Sequence, residues 1–77
     1  MNKQRRNALN AIVKKIDKLV YELNYIKDEE QDAFDNLPEG LQMSERGDHM
    51  QENIDNLDTI IAYLENAADD IEEIINA

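Results

Sequence analysis

The residues able to do chemistry are few, and their spacing limits what they can do. His49 is the only histidine, with Glu45 and Glu52 four and three residues away on one helical face. Di-metal carboxylate bundles repeat a Glu-x-x-His unit and add further inward glutamates. Here the order is Glu-x-x-x-His, it occurs once, and it flanks the core stripe, so the expected reading is a solvated helical turn with no metal and no cofactor. The acidic run Asp28, Glu29, Glu30, Asp32 and Asp35 lacks the spacing and central glycine of a calcium loop. Ser44 is the only serine, no cysteine is present, and Gly40 and Gly47 do not form a phosphate loop. No nucleophile, general base or metal set emerges, and no enzyme is expected. One constellation remains. Lys14, Lys18, Tyr21 and Tyr25, spaced 4, 3 and 4, form a stripe of their own. Ammonium groups beside phenol rings suit a flat anionic ligand, charge for a phosphate and ring for a base. Tyr63 is expected at about the same level on the opposing helix. The plainer use of these tyrosines is to pad an interface between subunits, where tyrosine is favoured.

Two apolar stripes must position these groups. Leu9, Ile12, Ile16, Leu19, Leu23 and Ile26 are spaced 3, 4, 3, 4, 3, widened by Val13 and Val20; the register runs on to Glu30 and Ala33. Met50, Ile54, Leu57, Ile61, Leu64, Ala68, Ile71 and Ile75 make the second stripe, widened by Ile60, Ala67 and Ile74. Between them, Asn36, Pro38 and Gly40 break the helix, Ser44 and Asp48 are candidate caps, and Arg46 is a partner for Glu30. The expectation is a single all-α domain over residues 1–77, with a helix over about 3–34, a hinge over about 35–47 and a helix over about 48–76. Pro38 to Met43 is a candidate extra helical turn in that hinge. Folded as an antiparallel hairpin whose facing residue numbers sum to about 83, the pattern opposes Leu9 with Ile74, Leu19 with Leu64 and Ile26 with Leu57. Each stripe is wider than one partner helix covers, which predicts a homodimeric four-helix bundle or a larger helical oligomer.

Composition narrows the partners. The chain has 77 residues, 34% of them charged, and a formal charge of −10. Such a surface argues against general DNA binding. No apolar run is long enough to span a bilayer, and residues 1–12 lack the apolar core of a secretion signal. The charge is uneven. Residues 1–20 carry Lys3, Arg5, Arg6, Lys14, Lys15 and Lys18 against Asp17, a local +5, and the remainder carries −15. The antiparallel register sets the basic start beside Asp69, Asp70, Glu72 and Glu73.

The hinge, Asp28-Glu29-Glu30-Gln31-Asp32-Ala33-Phe34-Asp35-Asn36-Leu37-Pro38-Glu39-Gly40-Leu41-Gln42-Met43-Ser44-Glu45-Arg46-Gly47, resembles a group of small acidic helical proteins of bacteriophages and prophages of Gram-positive and gut bacteria. Met1-Asn2-Lys3-Gln4-Arg5-Arg6 and the closing Ile, Leu and acidic run look similar too. The resemblance implies a phage setting, in the cytoplasm of a bacterial host cell, and no reaction. The hinge also holds more sequence detail than joining two helices needs, which makes Asn36, Pro38, Ser44 and Arg46 candidate hinge-site residues. In that setting a small oligomeric protein can sequester an anionic nucleotide signal of bacterial defence through Lys14, Lys18, Tyr21, Tyr25 and Tyr63. The alternatives are an acidic inhibitor or decoy of a host protein and a structural or assembly factor.

Overall fold

The computed structural model describes all 77 residues. Three helices follow one another: α1 over Lys3–Asp35, α2 over Glu39–Gln42 and α3 over Glu45–Asn76. The two long helices pack along each other as an all-α hairpin 58 Å long and 15 by 12 Å across, with no strand. Neither long helix contains a proline, and good helix formers fill their surfaces. The Asn2 side-chain oxygen caps α1 by accepting from the Arg5 amide at 2.8 Å, satisfying one of the free amides of the first turn.

The hinge is more ordered than a plain linker. Asn36 closes α1, its amide donating to the Asp32 carbonyl and the following Leu37 amide donating to that of Phe34, both at 3.0 Å. The Pro38 carbonyl accepts from the amides of Leu41 and Gln42 to start α2, and Pro38 itself stands just outside that helix. The Gln42 side chain then reaches back and donates to the Phe34 and Asp35 carbonyls at 3.1 and 3.4 Å, adding a second donor to Phe34 and covering Asp35 at the end of α1. Ser44 is the cap residue of α3: its carbonyl accepts from the Asp48 amide at 3.0 Å, while its hydroxyl turns back to the Leu41 carbonyl. The second long helix therefore begins at Glu45, three residues before the position read from the sequence, and Gly47 lies inside it as a buried residue. A Cβ on Gly47 would stand 2.0 Å from the Gln42 carbonyl oxygen and 2.8 Å from that of Leu41. Glycine lets the end of α2 rest on the first turn of α3.

The core is one line of side chains. From α3 it takes the expected stripe, Met50, Ile54, Leu57, Ile61, Leu64, Ala68, Ile71 and Ile75, all buried or half-buried. From α1 it takes Leu9, Val13, Ile16, Val20, Leu23, Lys27, Glu30 and Phe34. This corrects the sequence reading of α1. Leu9, Ile16 and Leu23 are shared, but Ile12, Leu19 and Ile26 are 43%, 48% and 51% exposed. Leu19, Ile26 and Ile74 thus lie outside the interior line, and the facing pairs read with them do not form the core. Only Val13, Ile54, Ile61 and Ala68 are buried apolar side chains, each 5–6% exposed. At roughly 1.5–3 kcal/mol for fully burying a large aliphatic side chain, so thin a core is a small return for ordering 77 residues.

Candidate functional site

The two apolar lines left outside this core share one face of the hairpin. Ile12, Leu19 and Ile26 each precede an interior residue of α1, namely Val13, Val20 and Lys27. Ile60, Ala67 and Ile74 each precede an interior residue of α3, namely Ile61, Ala68 and Ile75. An antiparallel pair has a local two-fold axis perpendicular to both helices, so positions with the same offset from the two seams emerge on the same side. Ile60 and Ile74 are 45% and 50% exposed, and Ala67 is also exposed. Both lines repeat every seven residues, and Leu19 stands level with Ala67. The result is a flat apolar face two helices wide, framed on α1 by Lys15 and Glu22 and on α3 by Asn56 and Tyr63. Composition alone does not single it out; its signal is the apolar residue just before Val13, Val20 and Lys27 on α1 and just before Ile61, Ala68 and Ile75 on α3.

The other edge of the helix pair is polar. Lys27 sits in the interior line of α1, and its Nζ donates to Asp58 Oδ1 of α3 at 2.8 Å, the one ion pair that joins the long helices. That hydrogen bond, with the nearby carboxylates of Asp58, Asp28 and Glu65, raises the Lys27 pKa above its ordinary 10.5 against the opposing effect of desolvation. The two residue numbers sum to 85.

Lys14, Lys18, Tyr21 and Tyr25 lie together on the outer face of α1, away from α3, and all four are exposed. A shallow depression there is lined by Tyr21, Glu22, Tyr25, Ile26 and Glu29. Glu22 and Glu29 line this depression with the tyrosines, and neither Lys14 nor Lys18 does. Tyr63, 69% exposed, belongs to the outer flank of α3 and does not line this depression. Lys3, Arg5, Arg6, Lys14, Lys15 and Lys18 make no ion pair with any carboxylate of the chain, those of Asp69, Asp70, Glu72 and Glu73 included. Long side chains in water gain little from such pairs.

His49 Nε2 approaches Glu45 Oε1 at 3.5 Å with both side chains largely in solvent, and no three metal-ligating side chains converge anywhere. Glu30 is half-buried without an ion pair, and Arg46 is exposed and unpaired. Of the candidate hinge residues, Asn36, Pro38 and Ser44 act through backbone and caps, as described above. Gln42 and Gly47 carry the specific hinge geometry. Neither Gln42 nor Gly47 was among the hinge residues singled out from the sequence. No helix is long and apolar enough to cross a membrane. No family model, curated protein or solved structure matches the chain.

Proposed function

We propose that this chain is a non-catalytic binding protein whose working form is a helical bundle of two or more copies, and that it acts by occupying a cationic surface of another protein. The observation that carries the first half is the face made by Ile12, Leu19, Ile26, Ile60, Ala67 and Ile74 beside a core of four well-buried side chains. A second helical layer over that face supplies the burial the hairpin lacks. Support for the second half comes from charge. Residues 21–64, which form the hinge half of the hairpin, carry twelve acids against Lys27 and Arg46, a net −10, while the open half formed by residues 1–20 and 65–77 nets zero. An exposed anionic end of this density attracts a basic, nucleic-acid-binding surface. The resemblance of the hinge to phage and prophage proteins supports a target in the cytoplasm of a bacterial host, as an inhibited host protein or an assembly partner. The test is a pull-down from host lysate at rising salt. A specific protein retained at low salt and lost steeply by about 0.3 M supports the reading; capture that ignores salt, or none, removes it.

A second reading has its own observation. Lys14 and Lys18 are unpaired on the same helix face as Tyr21 and Tyr25, which suits capture of an anionic defence nucleotide, the phosphate on the lysines and the base on a ring. Glu22 and Glu29 beside the rings oppose it. A thermal-shift screen with cyclic nucleotides decides it: a shift of several degrees, lost in K14E/K18E, favours sequestration over the protein partner.

A further inference from the structure

Two copies can meet through the apolar face in two ways, with hinges at the same end or at opposite ends. Both give full apolar register. The line Ile12, Leu19, Ile26 reads the same in either direction about Leu19, as does Ile60, Ala67, Ile74 about Ala67, and Leu19 and Ala67 are level. The face also has the size a dimer needs. The apolar lines span 14 residues of each helix, about 21 Å, and the whole side of the hairpin that carries them, 58 by 15 Å between Cα extremes, offers about the 800 Å² per partner that a standard interface buries.

Charge separates the two arrangements. With hinges together, the hinge half at −10 lies on the partner's hinge half at −10, and the neutral open halves lie on each other. With hinges apart, each −10 half lies on a half that nets zero. In that arrangement a two-fold axis through Leu19 and Ala67 lays α1 antiparallel on the partner's α1. The cationic stretch before Tyr21, at +5, then covers the partner's residues 21–35, where six acids stand against Lys27 and the net is −5. The same axis lays α3 on the partner's α3, residues 65–77 at −5 over residues 45–64 at −4, so the discrimination rests on the halves as wholes: hinges apart, the two −10 halves are kept from stacking on each other. The unpaired state of all six cations between Lys3 and Lys18 within one hairpin fits this use.

We propose that this protein dimerises head to tail, apolar face on apolar face, with the hinges at opposite ends of the bundle. The inference rests on the self-association assigned above. A G40C variant tests it: the chain has no native cysteine, and a Cβ at Gly40 meets nothing within 4 Å, so one spin label per copy sits at the hinge without strain. Pulsed dipolar spectroscopy on the full chain, with light scattering on the same sample, should give a label separation of about 50 Å, close to the hairpin's 58 Å length. A dimer with labels closer than about 25 Å, the width of a helical bundle, overturns the head-to-tail arrangement and leaves the apolar dimer standing. A monomer mass with no label-to-label distance overturns the self-association itself, and this proposal with it.

Discussion

Gly47 and Gly40 stand seven residues apart in the hinge region and should respond to alanine in opposite ways. At Gly47 the new methyl meets backbone at 2.0 Å, so α2 must leave the first turn of α3 and Gln42 must release the end of α1. G47A should cost about 1–3 kcal/mol in chemical denaturation, as overpacking against a fixed neighbour does. G40A adds a methyl in open space within a helix, and should be neutral or stabilising by up to about 1 kcal/mol. Equal effects at the two positions would refute the hinge geometry. Lys27 gives a second residue-scale test. Its raised pKa means that its contribution to stability is complete below the ordinary lysine value of 10.5 and is lost only as pH rises through the higher folded value. No stability change between pH 6 and 9 should therefore trace to Lys27. K27E puts a carboxylate beside Asp58, Asp28 and Glu65 and should lower Tm by several degrees; the exchange K27E/D58K should recover most of it. Failure of the exchange to recover would mean that Lys27 acts by packing alone.

At the scale of the element, neighbouring isoleucines of α3 face different surroundings. Ile61 is 5% exposed in the core, whereas Ile60 is 45% exposed on the open face. I61A should cost about 2–4 kcal/mol by leaving a cavity. I60E should barely disturb the hairpin but should split the oligomer, read as a fall in mass with helical circular dichroism retained at high concentration. An unchanged mass would show that the face is not the interface. The same elements show what was legible in the sequence. α3 was readable because each of its core positions is apolar and evenly spaced. α1 offered two competing seven-residue lines, Ile12, Leu19, Ile26 and Val13, Val20, Lys27. Apolar content favours the first, yet the chain buries the second, because Lys27 reaches Asp58 and the first line is left free for the face. The hinge was legible in its breakers, Pro38 and Asn36. The reach of Gln42 and the crowding at Gly47 depend on where two backbones meet, which residue type does not reveal. α1 is also charged against its own dipole, with no acid in its first turn and no base in its last. A lone helix gains nothing from that pattern; a partner of opposite polarity does.

For the whole molecule, the −10 total resolves into a neutral open half and an anionic hinge half. Burial resolves similarly, into a thin core and an apolar face beside it. Both divisions are what the proposed bundle calls for. The most direct measurement of this claim is the molar mass in solution by light scattering, taken over a hundredfold range of concentration alongside the melting temperature. The proposed bundle should give a mass of twice 8.9 kDa or a higher multiple, with Tm rising as concentration rises. A single species at 8.9 kDa with a concentration-independent Tm would contradict it.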